Sequence, residues 1–181
     1  MRVIQTDIPD LILIEPDIFA DNRGYFFESY SDAKFRDATG LEIKFVQDNE
    51  SESSYGVLRG LHFQIAPYEQ AKLVRVVRGS VLDIAVDIRK NSPTFGKYVA
   101  TELSEKNKKQ LFIPRGFAHG YVVLEDHTIF QYKCDNLYAP EHQGAIAWND
   151  PDIGISWSIA ESEIILSDKD RNNPALYNYT N

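Results

Sequence analysis

Short runs of apolar residues, separated by turn residues, recur along most of the chain. In segment 81–88 they alternate with a period of two, so that Leu82, Ile84 and Val86 lie on one face and Asp83 on the other. This alternation predicts a β-strand with one buried face. Similar runs predict further strands at 11–15, 24–30, 44–49, 57–64, 72–79, 97–103, 109–114, 120–125, 128–134, 144–148 and 155–159.

Turn and capping residues divide these runs. Ser31 can cap the start of a helix and Gly40 can end it, so we expect one short helix near residues 31–39. The tight turn at 78–80 joins two long strands and predicts a hairpin. We expect segment 91–96 to be a loop and residues 167–181 to be irregular.

The number and spacing of the strands indicate an all-β fold. About a dozen strands with regularly spaced turns are typical of a sandwich or a barrel. The crossover helices of a doubly wound α/β fold are not predicted. A chain of 181 residues without a long linker suits a single domain, 1–181. Such folds hold small ligands in a mouth or an interior cavity.

Charge and cysteine content argue against several classes of protein. A nonspecific nucleic-acid binder is expected to be basic, whereas this chain has a net charge of -8. Cys134 is the single cysteine, so neither an intramolecular disulfide nor a Cys-x-x-Cys zinc site is expected. The N-terminal apolar run is too short for a signal peptide, and no stretch reaches the roughly 20 apolar residues of a membrane span. We therefore expect a cytoplasmic protein that does not contact membranes.

His62 interrupts an apolar strand in a way that suggests a binding pocket. Gly60 beside it lacks a side chain and is expected to leave space over that face. Strict alternation places His62 on the face of Gly60 and Gln64, with Arg59 on the opposite face. On this pattern alone, it is equally good to interpret His62 as a core histidine that makes one hydrogen bond.

A second histidine-containing segment points to a known superfamily. GVLRGLHFQ (56–64) and IPRGFAHGYV (113–122, with His119) resemble the two signature motifs of the cupins, which are jelly rolls or double-stranded β-helices. Metal-binding cupins usually have a second histidine where this chain has Gln64, and two histidines alone make a poor divalent-metal site. The resemblance implies a cupin-like fold with no metal and no other cofactor. His127 and His142 lie in polar turns and are expected to be solvated.

A closer resemblance covers nearly the whole chain. Eight segments resemble the dTDP-4-dehydrorhamnose 3,5-epimerase family in order and spacing: DNRGYFFESY (21–30), FVQDNESES (45–53), 56–64, 70–98, 113–122, FQYKC (130–134), WNDPDIGISW (148–157) and LSDKD (166–170). Members of this family are homodimers of jelly-roll subunits. They convert dTDP-4-dehydro-6-deoxy-glucose to dTDP-4-dehydro-L-rhamnose in dTDP-L-rhamnose biosynthesis. The resemblance thus implies a nucleotide-sugar substrate and a homodimer.

The reaction of that family needs an acid and a base. The ketone at carbon 4 acidifies the protons on carbons 3 and 5, removal of each proton gives an enolate, and reprotonation from the other face inverts the centre. His62 matches the family's base, and histidine, with an ordinary pKa of about 6.5, suits proton transfer near neutral pH. Asp170 matches the carboxylate that orients this base. Lys72 matches the cation beside the enolate oxygen, and Tyr132 matches the acid on the opposite face.

These matched residues also have simpler interpretations. Without the resemblance, Lys72 is better explained as a solvated strand end and Tyr132 as a core aromatic. Asp170 lies in a polar tail, where a solvated carboxylate is the usual case, and Asp168 competes with it two residues away. The family pattern Ser-x-Lys-Asp favours Asp170.

The resemblance further implies a set of substrate contacts. Tyr138 matches the position that stacks on thymine, and Gln143 stands where Glu is expected in the family. Basic side chains in the set would supply the local positive charge that an acidic protein needs to hold a diphosphate. Arg59 and His62 contact the same substrate only if their strand bulges or twists near Gly60. The implied contacts are Arg23, Glu28, Gln47, Asp48, Asn49, Arg59, His119, Tyr138, Gln143 and Lys169.

Three alternative functions remain open on the sequence. A sugar-nucleotide 3-epimerase or ketoisomerase shares the fold and the histidine base, but it does not need the acid that Tyr132 matches. A metal-dependent cupin would be revealed by bound metal and by sensitivity to chelators. A non-catalytic sugar-nucleotide-binding cupin would need neither the acid nor the base.

Overall fold

Two antiparallel β-sheets form the body of the protein in a computed structural model that describes residues 1–180. The first sheet has six strands in the order β1-β2-β10-β7-β12-β5 and the second has five in the order β13-β6-β11-β8-β9. Strands β3 and β4 form a separate hairpin. The strands are β1 (Arg2–Gln5), β2 (Ile12–Glu15), β3 (Phe19–Asp21), β4 (Gly24–Phe26), β5 (Gln47–Ser53), β6 (Leu58–Gln64), β7 (Lys72–Arg78), β8 (Ser80–Asp87), β9 (Tyr98–Ser104), β10 (Gln110–Ile113), β11 (Phe117–Val123), β12 (Thr128–Cys134) and β13 (Gln143–Ala145).

Apolar side chains fill the space between the sheets and cover both outer faces. The interior contains Val76, Val81 and Phe130, all of them buried. Helix α1 (Asp32–Thr39) places Phe35 against the outer face of the six-stranded sheet. Segment 146–179 crosses the outer face of the five-stranded sheet and packs there with its two tryptophans. The result is a jelly-roll sandwich, which confirms the predicted all-β, cupin-like class.

The predicted helix near residues 31–39 is confirmed with both of its caps. The Ser31 side chain accepts a hydrogen bond from the backbone N–H of Lys34, and Gly40 takes the left-handed conformation that ends the helix. Residues 167–181 were expected to be irregular, and for the described part this was wrong. It contains two short helices, α2 (Asp168–Arg171) and α3 (Leu176–Thr180), and residue 181 lies outside the described residues. Two 3₁₀ turns, Pro140–His142 and Glu161–Glu163, complete the helical segments.

The hairpin predicted at 78–80 is wrong. Strand β7 belongs to the six-stranded sheet and β8 to the five-stranded sheet, so the chain crosses between the sheets at this turn. Gly79 makes the corner with a φ of 77°, and a Cβ there would lie 2.2 Å from Oγ1 of Thr128. A glycine turn between two strands is equally compatible with a hairpin and with a corner. Strand β8 forms its hairpin with β9 instead.

Several other predictions of strands need correction, and the strands β1 and β3 were not predicted. Segment 155–159 forms no strand, because Trp157 turns inward and its Nε1–H donates to the backbone oxygen of Trp148 at 2.9 Å. Segment 24–30 is a strand only over β4, and β5 begins three residues later than predicted. Strand β1 pairs with β2 at the edge of the six-stranded sheet.

Candidate active site

A cavity of about 530 Å³ opens between the two sheets, and most of the side chains implied by the sequence line it. The four candidate catalytic residues converge there although they come from β6, β7, β12 and α2. Such a convergence of distant segments is the usual construction of a ligand site in a β-sandwich. The predicted residues that line the cavity are Asn49, Arg59, His62, Lys72, His119, Tyr132, Tyr138, Gln143 and Asp170.

A β-bulge puts Arg59 and His62 on the same face of β6. In the pairing with β11, His62 lies opposite His119 and Arg59 lies opposite Tyr121, so two residues of β6 face the single Gly120. The extra residue reverses the alternation, which corrects the strict assignment of faces made from the sequence. The bulge near Gly60 that a shared substrate requires is therefore present.

Gly60 allows β6 and β11 to approach each other closely, and it does not open space for a ligand. Its φ is 148°, and a Cβ built on it would lie 2.6 Å from the Cα of Gly120. In the other direction, a Cβ on Gly120 would lie 2.8 Å from the backbone oxygen of Arg59. Both glycines are thus needed for the bulge that sets the position of His62.

His62 and Asp170 form a hydrogen-bonded pair at the wall of the cavity. The distance from His62 Nε2 to Asp170 Oδ1 is 2.5 Å. Burial opposes ionisation of the Asp170 carboxyl, but the hydrogen bond and charge of His62, together with the side chains of Ser167 and Asn173, outweigh it, so the pKa of Asp170 lies below its ordinary value. An ionised carboxylate only accepts hydrogen bonds, so Nε2 of a neutral His62 carries the proton and Nδ1 is left as the basic nitrogen.

Helix α2 holds Asp170 in this position. The Ser167 side chain caps the helix by accepting a hydrogen bond from the backbone N–H of Asp170 at 3.1 Å. Asp170 is buried, whereas Asp168 is exposed and points away from the cavity lining. The choice of Asp170 over Asp168 is thus the one that the geometry supports.

Tyr132 and Lys72 approach the cavity from the opposite sheet. Tyr132 lies on β12, and burial raises the pKa of its phenol to about 12. Lys72 lies on β7, with Nζ 5.9 Å from the centre of the Tyr132 ring, and burial lowers the pKa of its ammonium group. At neutral pH the phenol therefore keeps its proton and is able to donate it.

His119 pairs with a carboxylate that the sequence analysis did not single out. Its Nε2 lies 2.9 Å from Oδ2 of Asp83, and both side chains are buried. Burial lowers the pKa of His119, so its neutral form predominates near pH 7. Tyr121 is a second residue that was missed, and its hydroxyl lies 2.9 Å from that of Ser51 at the cavity wall. A charged residue in the middle of the apolar strand β8 was the available signal for Asp83.

Tyr138, Gln143 and Lys169 form the outer end of the cavity. The Tyr138 hydroxyl donates to Oε1 of Gln143 at 2.7 Å, and the Lys169 ammonium group donates to the same oxygen at 2.8 Å. The Gln47 side chain accepts a hydrogen bond from the backbone N–H of Tyr138 at 3.2 Å, which places it behind the loop of Tyr138. An exposed aromatic ring beside a lysine is suited to a stacked base and a neighbouring phosphate.

Three of the implied substrate contacts lie away from this cavity. Arg23 sits at the tip of the β3–β4 hairpin, where its guanidinium group pairs with Asp21. Glu28 pairs with Lys34 of α1. The Asp48 side chain points to the outer face of the six-stranded sheet and accepts a hydrogen bond from Lys133 at 2.8 Å. Within one copy of the chain, these three side chains do not meet the catalytic set.

Neither a metal-binding cluster nor a membrane-spanning helix is found among the described residues. Over residues 1–180 no group of three or more His, Cys, Asp or Glu side chains is arranged to hold a metal ion. In the same part of the chain, no helix is long and apolar enough to cross a membrane.

Comparison with known proteins identifies the family. The family model described as dTDP-4-dehydrorhamnose 3,5-epimerase matches residues 5–178. The chain belongs to this family. The dTDP-4-dehydrorhamnose 3,5-epimerase of Shigella flexneri is 53% identical over 172 residues, which cover 95% of this chain and 94% of the relative. The resemblance noted in the sequence is therefore confirmed, and the protein is an isomerase of the epimerase type.

Solved structures of the family show the same fold with nucleotide sugars bound. The 3,5-epimerase of Legionella pneumophila, in complex with dTDP-4-keto-L-rhamnose, is 46% identical with a TM-score of 0.94, covering 97% of this chain and 93% of that one. ChmJ of Streptomyces bikiniensis, a 3'-monoepimerase in complex with dTDP-quinovose, is 34% identical with a TM-score of 0.89, covering 98% and 88%. The fold thus carries both double and single epimerisation.

Proposed function

We propose that the protein inverts carbons 3 and 5 of dTDP-4-dehydro-6-deoxy-D-glucose to give dTDP-4-dehydro-L-rhamnose, without a metal or another cofactor. The observation that carries this proposal is the His62–Asp170 pair facing Tyr132 across the cavity. A base on one sheet and a proton donor on the other give access to both faces of a sugar ring between them. Two-sided access is what inversion by proton removal and return requires.

His62 is proposed as the base that removes the protons at carbons 3 and 5. Its Nδ1 is the free basic nitrogen, because Nε2–H is held by the ionised Asp170. As the base takes up a proton, the adjacent carboxylate stabilises the imidazolium that forms. Asp170 thus orients the ring and supports its charged state.

Lys72 and Tyr132 are proposed to handle the enolate. The Lys72 ammonium group, which lines the cavity, is proposed to donate a hydrogen bond to the oxygen on carbon 4, where negative charge develops. The Tyr132 phenol, which keeps its proton at neutral pH, is proposed to deliver a proton to the ring from the other side. The sugar proton is transferred to His62, and Tyr132 delivers a proton to the opposite face. Exchange with solvent then restores the starting protonation states of both side chains.

Proton NMR in D₂O tests the reaction directly. The protein is incubated with dTDP-4-dehydro-6-deoxy-glucose and EDTA, and the product is trapped by a downstream reductase. Deuterium at both carbons 3 and 5, with inverted product, is the expected result. No exchange with EDTA, followed by exchange after a divalent metal is added, would overturn the metal-free mechanism.

A single-centre epimerase is the second candidate, because ChmJ is a 3'-monoepimerase with the same fold. Tyr132 does not discriminate between the two candidates, because inversion at a single carbon also requires a proton donor on the opposite face of the sugar ring. Deuterium at carbon 3 alone in the same experiment would establish the single-centre reaction.

We also propose that two copies pair so that the hairpin of one copy completes the cavity of the other. The side chains of Phe19 and Phe26 on the hairpin are 65% and 67% exposed, an unusual exposure for neighbouring phenylalanines. Between them, the Arg23 side chain is 85% exposed and contacts Asp21 of its own hairpin. Pairing would bury the aromatic rings and give Arg23 a role in holding the diphosphate of the other copy.

Subunit mixing tests this arrangement. Arg23→Ala and His62→Ala chains are each expected to be impaired, the first in KM and the second in kcat. After the two are unfolded and refolded together, about a quarter of the sites should combine an intact His62 with an Arg23 from the other copy. At substrate concentrations well below KM, the refolded mixture should therefore be more active than either variant alone. A mixture no more active than its two components, or a monomer in analytical ultracentrifugation, would contradict the pairing.

A further inference from the structure

Gln64 occupies the position in β6 where metal-binding cupins carry a histidine, and its side chain has a defined orientation here. It lies two residues beyond His62 on the same face of the strand, a distance of about 7 Å along the chain. The side chain is buried, with 7% of its surface exposed, and it lines the cavity. Its Oε1 accepts a hydrogen bond from the backbone N–H of Ala139 at 2.8 Å.

This contact fixes which end of the amide points to the cavity. Because Oε1 faces an N–H donor, Nε2 takes the other side, and the assignment of the two atoms follows from the hydrogen bond. Among residues 1–180 no acceptor is bonded to Nε2. An amide nitrogen with two free N–H groups at the wall of an open cavity is a donor that a ligand oxygen would satisfy.

The surroundings of Gln64 favour an anionic ligand oxygen. Gln143 is its partner across the β6–β13 ladder, and Oε1 of Gln143 holds the ammonium group of Lys169 at 2.8 Å. Ala139, the other partner of Gln64, follows Tyr138 directly in the chain. Gln64 therefore lies between His62 and Tyr138, with a cation bound to its neighbour.

We propose that the Gln64 amide donates a hydrogen bond to a phosphoryl oxygen of the nucleoside diphosphate. The inference rests on the proposed function, in which the sugar lies against His62 and the base against Tyr138. The diphosphate that joins them must then pass Gln64. One side chain thus has two roles, since its oxygen holds the loop of Tyr138 and its nitrogen binds the ligand.

The substitution Gln64→Glu separates the two roles. A glutamate keeps an oxygen that accepts from Ala139 N–H, and it replaces the donor with a second carboxylate oxygen that repels phosphate. Dissociation constants for dTDP and for thymidine are measured by calorimetry at pH 8, in the full-length protein. Gln64→Met removes both the acceptor and the donor, and Gln5→Glu, at the exposed edge strand β1, adds the same charge far from the cavity.

The expected result for Gln64→Glu is a loss of dTDP affinity of at least about tenfold with little change for thymidine. Gln64→Met should weaken both ligands, and Gln5→Glu should weaken neither. Unchanged dTDP affinity in Gln64→Glu, or an equal loss for dTDP and thymidine, would restrict Gln64 to support of the loop and overturn the proposal.

A failure of this inference is distinguishable from a failure of the proposed function. If the wild-type protein exchanges deuterium into the sugar while Gln64→Glu binds dTDP normally, the proposed reaction is supported and the proposed phosphate contact of Gln64 is contradicted. If the wild-type protein binds no dTDP and shows no exchange, both fall together.

Discussion

His62 and His119 are paired residues of adjacent strands, yet each imidazole is bonded to a different carboxylate. His62 reaches Asp170 of helix α2, and its side chain is 29% exposed to the cavity. His119 reaches Asp83 of β8 and is 7% exposed. His62 is therefore the more accessible of the two imidazoles, and the two histidines are not interchangeable.

The first prediction concerns this division between the two histidines. His62→Asn should lower kcat for deuterium exchange by about 10²–10⁴-fold, the usual contribution of a general base. Asp170→Asn should also lower kcat with little change in KM, because the amide no longer fixes the basic tautomer. The measurement is the rate of exchange at saturating substrate.

His127→Asn is the matched control for that prediction. His127 is an exposed histidine paired with Glu52 outside the cavity, and its positive φ is one that asparagine tolerates. The rate of deuterium exchange by His127→Asn should equal that of the wild-type protein. A His62→Asn protein that retains normal kcat would contradict the assignment of the base.

Tyr132→Phe should separate proton removal from inversion. The phenyl ring keeps the packing against Phe130 but has no proton to deliver. We expect exchange to persist while inversion at carbon 5 is impaired, since His62 is still able to remove and return a proton on its own side. The readout is NMR of the trapped product, with Tyr98→Phe as a control at the first residue of β9, outside the cavity lining. Full inversion in Tyr132→Phe would leave the tyrosine without a role as acid.

Stability should depend on pH through His119. Burial lowers the pKa of its imidazole in the folded protein below the ordinary 6.5, so the unfolded chain binds this proton at higher pH. The free energy of unfolding therefore falls as the pH decreases below about 6.5, by up to roughly 1.4 kcal/mol per pH unit from this group. Denaturant titrations between pH 8 and 5 should show a shallower decrease in His119→Asn. Equal slopes in the two proteins would rule out this contribution.

The bulge of β6 predicts a contrast between two glycines. Gly60→Ala places a methyl group against the Gly120 backbone and should lower the free energy of unfolding by at least about 2 kcal/mol. Gly40→Ala meets nothing within 4 Å and carries only the cost of its left-handed conformation, about 1 kcal/mol. Urea titration of the two variants measures the difference. Equal losses would show that backbone strain, not the close approach, determines the requirement for Gly60.

Local signals in the sequence were sufficient for much of the architecture. The Ser31 and Gly40 caps and the alternation in β8 depend on neighbouring residues, so they could be interpreted without the fold. The turn at Gly79 could not, because a hairpin and a corner need the same glycine. The two differ only in which strand lies next to β7, which is decided by contacts far along the chain.

The candidate site likewise contains residues that the sequence indicated and residues that depend on contacts between distant segments. His62, Lys72, Tyr132 and Asp170 were implied by a family resemblance that spans the chain, and the structure brings all four to one cavity. Asp83 was left out because its partner His119 is 36 residues away and no local pattern joins them. The common face of Arg59 and His62 depends on a single extra residue, which period-two counting from one sequence does not locate.

The proposed base and the proposed acid belong to different layers of the sandwich, His62 to the five-stranded sheet and Tyr132 to the six-stranded one. The distance between them is therefore set by the thickness of the interior layer, which is maintained by side chains such as Val76 and Val81. Neighbouring sheets adjust their separation to the volume of the side chains between them. In the proposed mechanism, the stereochemical result therefore depends on the volume of interior residues that do not contact the sugar. Substitutions in this layer are able to change the number of carbons inverted without altering a reacting group.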